Sequence, residues 1–182
     1  PITSSLQERG PWYYEMQSLG FNYRMSDINC ALGLSQLKKL DQFVARRREI
    51  ASMYYTGLSD IPHLKLPLSD LFSSQQPITN NQEQFTHSFH LFPVWIDFTA
   101  IGKSRTRVMN ELKEHGVGTQ VHYIPVCLQP YYREKLDLKP GMYPAAEKFY
   151  QGELSIPMFP AMTNIDVQQV VCELIRVCNC RE

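Results

Sequence analysis

Residues 20–51 read GFNYRMSDINCALGLSQLKKLDQFVARRREIA, and the fold is read outward from this stretch. Ser26 and Asp27 have short side chains that accept free backbone N–H groups at a helix start. Behind them Ile28, Ala31, Leu32, Leu37, Leu40, Phe43 and Val44 recur at helical spacing, and the apolar stripe continues through Ile50, Met53 and Tyr54. The spacing predicts one long amphipathic helix over 26–58, beyond the usual globular length. Such a helix joins two bodies or packs against a partner. Just ahead of it, Asn22, Tyr23 and Arg24 place an amide, a phenol and a guanidinium on the loop entering the helix N-terminus. The helix dipole, the free N–H groups and the guanidinium favour an anion there, phosphate included. Arg24 as a surface charge and Asn22 as a turn residue remain the alternative.

A chain of 182 residues buries a real core and forms one domain or a little more. Lysine plus arginine and aspartate plus glutamate balance at 18 each, which gives no electrostatic reason to expect nucleic acid or an acidic membrane. The five cysteines are scattered with neither disulfide-framework nor zinc-site spacing, so a reducing compartment and no metal are expected; Cys178 and Cys180 read as a helix end. No apolar run reaches bilayer length, and PITSSLQERG lacks the features of a signal peptide. The expectation is a cytoplasmic protein.

Residues 1–19 read as a loop or arm whose Trp12, Tyr13 and Tyr14 pack on something. Residues 69–84, rich in Ser, Gln, Asn and Pro, read as a surface insertion. HSFHLFPVWIDF over 87–98 is the strongest strand, with Pro93 pushing it toward an edge or bulge. A helix follows over 102–116 with Ser104 as cap and Gly116 past its end. Further expectations are a short strand over 118–123, a helix over 145–150, a strand over 154–156 and a final helix opened by a capping box at Thr163–Asp166. The order gives a two-layer α+β arrangement, mainly antiparallel, with helices on one face.

Two histidines sit where chemistry is plausible. His122 and Tyr123 end a short strand before proline-rich chain, where loops form pocket walls. They would hydrogen-bond sugar hydroxyls or a phosphate, or His122 is a half-buried imidazole satisfied by backbone. His90 lies in the 87–98 strand, where alternation sets it opposite its neighbours; packing and function are both open. Gln129 and Tyr131 follow on the same loop as His122 and could add pocket contacts. Lys103 in Gly-Lys-Ser lacks the upstream glycine of a phosphate loop.

The 20–51 stretch closely resembles the segment that follows the catalytic lysine in the DegT family of pyridoxal-phosphate-dependent sugar aminotransferases. Pro11–Glu15, Phe89–Val94, Val121–Val126 with Leu128–Tyr132, and Leu154–Thr163 agree with that family in order and spacing. The resemblance implies the C-terminal small domain of a fold-type-I transferase: 1–25 ends the large domain, 26–58 is the connecting helix and 59–182 is the small α+β domain. It implies that Asn22 and Arg24 reach the cofactor phosphate across a homodimer interface. It implies that His122 and Tyr123 contact a nucleotide sugar, beside Gln129, Tyr131 and His90. The cofactor would be pyridoxal 5'-phosphate, the donor glutamate and the acceptor a nucleotide-linked 4-keto-6-deoxy sugar. Cys127 departs from the family, which usually has histidine there; a thiol cannot donate as imidazolium does. The Schiff-base lysine of the family lies upstream of 20–51, and none of the eight lysines here has its context. The chain is therefore expected to hold no catalytic lysine and to be inactive alone. A truncated homologue that dimerises or binds nucleotide sugars is the alternative, and relatives with histidine in place of the lysine dehydrate the sugar instead.

Overall fold

The computed structural model describes residues 21, 23–67 and 87–179. The expectations for Trp12–Tyr14, Asn22, the 69–84 insertion and Cys180 fall outside the described residues.

Two compact units divide the chain, 1–38 and 39–182. In the first, helix α1 (Asp27–Leu37) starts where Ser26 Oγ accepts the Asn29 N–H. None of its residues is buried. The helix expected to run unbroken to 58 ends here: Lys38 and Lys39 form a turn, and Lys39, at φ −101°, ψ −1°, is the N-cap of the next helix. Leu37 and Leu40 are three apart, so the apolar periodicity runs across the break without registering it.

The second unit opens with α2 (Leu40–Leu58), whose C-terminal half carries the core residues Ile50, Ala51, Tyr54 and Leu58. Strands β1 (Leu64–Lys65), β2 (Phe92–Ile96) and β3 (Glu153–Ile156) form an antiparallel sheet in the order β1-β2-β3. Phe92, Val94 and Ile96 are buried on one face of β2, as a period of two requires. Tyr54 and Tyr55 of α2 meet the Phe92 ring at centroid distances of 5.0 and 5.5 Å. Helix α3 (Arg105–Glu114) and the last helix, α6 (Asn164–Asn179), complete this layer through Val108, Leu112, Val167, Val170 and Leu174.

Pro93 lies in the central strand, yet β1 pairs only with Trp95 and Ile96. Beyond that point β2 is locally an edge, which is how a residue without an N–H is accommodated. The helices are not confined to one face, contrary to expectation. Helix α5 (Pro144–Gly152) lies on the opposite face of β2, where Trp95 Nε1 donates to the Lys148 carbonyl at 3.0 Å. The architecture is the expected α+β one, a small antiparallel sheet with helices.

Candidate functional site

The loop that carries most of the candidates begins at a built helix stop. Gly116 takes φ +80°, its N–H donates to the Lys113 carbonyl, and the Val117 N–H donates to the Leu112 carbonyl at 2.9 Å. This double bond pattern around a left-handed glycine ends α3 and seats Val117 in the core. The chain then runs beside β3. Gln120 and Ser155 exchange both backbone hydrogen bonds, at 3.1 and 2.8 Å, as an isolated antiparallel bridge. The strand expected over 118–123 is therefore one rung long, because the backbone leaves the ladder after it.

Two residues on, the His122 N–H donates to Glu153 Oε2 at 3.0 Å. The other carboxylate oxygen, Oε1, accepts from Ser155 Oγ at 2.7 Å. Glu153 is 1% exposed. His122 Nδ1 is buried and has no hydrogen-bond partner among the described residues; the same holds for Thr119 Oγ1. A polar contact from this imidazole to a ligand therefore falls to Nε2. The rings of His122 and Tyr123 meet at 4.7 Å, nearly perpendicular, and Tyr123 is 72% exposed.

After Pro125 a 3-10 turn (Val126–Leu128) holds the half-buried Cys127 and leads to α4 (Pro130–Leu136). Gln129 is the N-cap residue of α4, with Pro130 in the first turn as its fixed φ favours. Tyr131 stacks edge-on against Tyr132 at 5.2 Å and its hydroxyl accepts from Lys135 Nζ at 3.1 Å. One loop and the helix it enters thus carry His122, Tyr123, Gln129 and Tyr131.

His90 does not lie in a strand. Phe89 takes φ +46° and the chain bends at His90, so β2 starts only at Phe92 and alternation does not apply to His90. Its imidazole is exposed, and its carbonyl accepts from Arg47 Nη1 at 3.1 Å. Among the described residues no hydrogen bond or ring contact joins His90 to His122 or Tyr123. Arg24 lies outside any helix or strand, ahead of α1, in the unit 1–38.

Sequence reasoning missed Glu153, Ser155 and the three arginines of α2. Arg47 Nη1 donates to the Phe89, His90 and Met158 carbonyls, Arg46 to Met162 and Arg48 to His87. A carboxylate at the head of the apolar run ELSIP was the available signal for Glu153.

Lysine chemistry is distributed elsewhere. Lys103, the buried lysine among the described residues, donates through Nζ to Glu111 at 2.8 Å and to the Val177 carbonyl at 3.1 Å. Lys65 lies over the Trp95 ring, and Lys139 pairs with Asp137. All eight lysines of the chain fall within the described residues. No group of three or more potential metal ligands occurs among them. A cavity of about 560 Å³ is lined by Lys65, Pro93, Trp95, Lys148 and Phe149, and none of the candidate residues lines it.

Comparison with known proteins agrees with the resemblance. The chain is 37% identical over 163 residues to the spore coat polysaccharide biosynthesis protein SpsC of Bacillus subtilis, spanning 89% of this chain and 39% of that protein. Among solved structures, Helicobacter pylori PseC, an aminotransferase involved in the biosynthesis of pseudoaminic acid, superposes with a TM-score of 0.73 at 27% identity, covering 93% of this chain and 42% of that one. The aminotransferase TlmJ of Streptoalloteichus hindustanus superposes with a TM-score of 0.69 at 28% identity, covering 91% and 40%. The chain thus spans about two fifths of the length of these relatives. The model of the DegT/DnrJ/EryC1/StrS aminotransferase family matches residues 3–175, and the chain belongs to that family.

Proposed function

We propose that this chain is the C-terminal, substrate-binding part of a pyridoxal-phosphate-dependent aminotransferase. It would aminate a nucleotide-linked 4-keto-6-deoxy sugar, with glutamate as donor, for a cell-surface polysaccharide or glycan. The observation that carries the reading is the loop of His122 and Tyr123. It presents a phenol to solvent beside an imidazole whose one buried nitrogen is Nδ1, on a backbone tied to the sheet. Two adjacent aromatic donors held this way suit sugar hydroxyls and phosphate oxygens. Gln129 and Tyr131, at the start of α4, extend the same wall.

Among possible products, a UDP-4-amino-4,6-dideoxy-N-acetyl-β-L-altrosamine on the pseudaminic acid route is the finer assignment we favour. It rests on the motifs of residues 121–132 and 154–163 and is compatible with PseC as one relative among several. Asn22 and Arg24 are assigned to the cofactor phosphate of a partner subunit in a homodimer, and the Schiff-base lysine to a residue other than this chain's eight. A cytoplasmic location goes with this chemistry; no helix among the described residues is long and apolar enough to cross a membrane.

Calorimetric titration with UDP-N-acetylglucosamine tests the substrate role. Saturable binding that falls about tenfold or more in His122→Ala is expected, the size of losing a hydrogen bond to a charged group. Equal affinity in wild type and His122→Ala would remove His122 from the site.

A further inference from the structure

We propose that Glu153 is a positioning residue for substrate: its buried carboxylate fixes the His122–Tyr123 loop at a set distance from the sheet. The proposal rests on the reading of His122 and Tyr123 as substrate contacts. Gln120 pairs with Ser155 in antiparallel register, so the next hydrogen-bonded rung of that ladder would join His122 to Glu153. A backbone rung there would draw His122 flat against β3. The His122 N–H instead donates to the Glu153 side chain, at 3.0 Å. The carboxylate thus takes the place of the carbonyl in that rung, and the chain stands off from the sheet by the reach of a glutamate side chain.

The carboxylate has few other duties. Its remaining oxygen accepts from Ser155 Oγ at 2.7 Å, which locks the side-chain torsion. Among the described residues no lysine, arginine or histidine side chain forms an ion pair with it. Burying a carboxylate without a cation is unfavourable, and a purely structural filler at this position would be apolar. A backbone N–H can only donate, so the partner of His122 has to be an acceptor, and a charged acceptor makes the stronger bond. Holding the backbone at His122 also sets the ring, because Nδ1 is buried and Nε2 is left for the ligand.

The test uses the protein expressed from its own gene, with UDP-N-acetylglucosamine as probe. Glu153→Gln keeps the shape; its amide oxygen takes the His122 N–H while its NH2 donates to Ser155 Oγ. Glu153→Leu keeps the volume and removes the acceptor. In Glu153→Leu, hydrogen exchange at the amides of 122–124 is expected to accelerate about tenfold or more, and affinity for the probe to fall by a similar factor. Glu153→Gln is expected to restore both to within about threefold, and to move the His122 amide proton resonance upfield as a neutral acceptor replaces a charged one. Wild-type exchange rates in Glu153→Leu overturn the proposal whatever the affinity does. Should Glu153→Leu fail to fold, an unmoved His122 resonance in Glu153→Gln overturns it equally. Accelerated exchange in Glu153→Leu with unchanged affinity overturns the positioning role; the substrate reading itself then stands or falls separately, on His122→Ala.

Discussion

Gly152 closes α5 one residue before β3, and its missing side chain is what lets the helix meet the sheet. A Cβ there would lie 2.4 Å from Trp95 Cε2 and Nε1 and 2.7 Å from the Ile96 carbonyl. The Ile96 carbonyl is backbone and an indole ring is rigid, so neither gives way cheaply and Gly152→Ala is expected to cost about 3 kcal/mol, the upper end for overpacking. Urea denaturation measures it, with Gly118→Ala as control: nothing lies within 4 Å of a Cβ at 118, and its change should stay within about 0.5 kcal/mol. Equal midpoints for the two variants would mean that α5 does not pack on Trp95 as described. This glycine was not legible in the sequence, because it matters through a residue on another element; Glu153 was legible as a carboxylate leading an apolar run, but its partner His122 was not. His122 and Tyr123 were legible only as residue types in a suggestive place. That His122 turns Nδ1 inward is a property of the packed loop.

At the scale of elements, punctuation residues read well and continuity read poorly. Ser104 accepts the Arg107 N–H at 3.2 Å, Gly116 ends α3, and Thr163 and Asp166 form a reciprocal capping box at the start of α6. Each acts within four residues of itself, so local sequence contains the whole cause. The break at Lys38–Lys39, the single rung at Gln120 and the bend at His90 have no such local marker. The capping box carries a pH prediction. The Thr163 backbone N–H, then its hydroxyl, hold the Asp166 carboxyl below its ordinary 3.8. A depressed folded-state value means stability that is complete above about pH 4 and lost as pH falls through the folded value. The Lys103 hydrogen bond lowers the Glu111 carboxyl from 4.5 with the same sign. Asp166→Asn should therefore flatten the acid limb of stability against pH and leave its shape above pH 6 unchanged; an acid limb as steep as in wild type would sink the assignment. Thr163→Ala should cost about 1 kcal/mol in thermal melts at neutral pH. Arg47 clamps two connections at once through three carbonyls, and Arg47→Lys should lose about 2 kcal/mol because an ammonium does not reproduce that reach. Denaturation of Arg47→Lys at wild-type midpoint would make these bonds incidental.

At the scale of the molecule, the core belongs to 39–182, and the first unit contributes a helix with no buried residue. Ile28, Leu32 and Leu37 on α1 are exposed, an apolar set that water does not favour. The family was legible because its motifs span the chain in order; the division of the chain at residue 38 was not, since the apolar stripe bridges it. The sharpest prediction at this scale concerns the cofactor. A Schiff-base lysine has to be a free amine in a pocket beside the substrate groups; four of the eight lysines, Lys103, Lys65, Lys135 and Lys139, are engaged with Glu111, Trp95, Tyr131 and Asp137, and the sequence around the other four lacks the context that the family gives its catalytic lysine. The chain of residues 1–182, titrated with pyridoxal phosphate, should develop no imine absorbance that survives dialysis, and borohydride should fix no cofactor to its lysines. Light scattering on the same sample should give a mass above the 21.1 kDa of one chain, as exposed apolar residues of α1 find a partner. A borohydride-fixed pyridoxyl group mapped to one of the eight lysines would overturn the first expectation and move the active site to that residue. A monomeric mass would overturn the second, leaving α1 without the association its apolar residues call for.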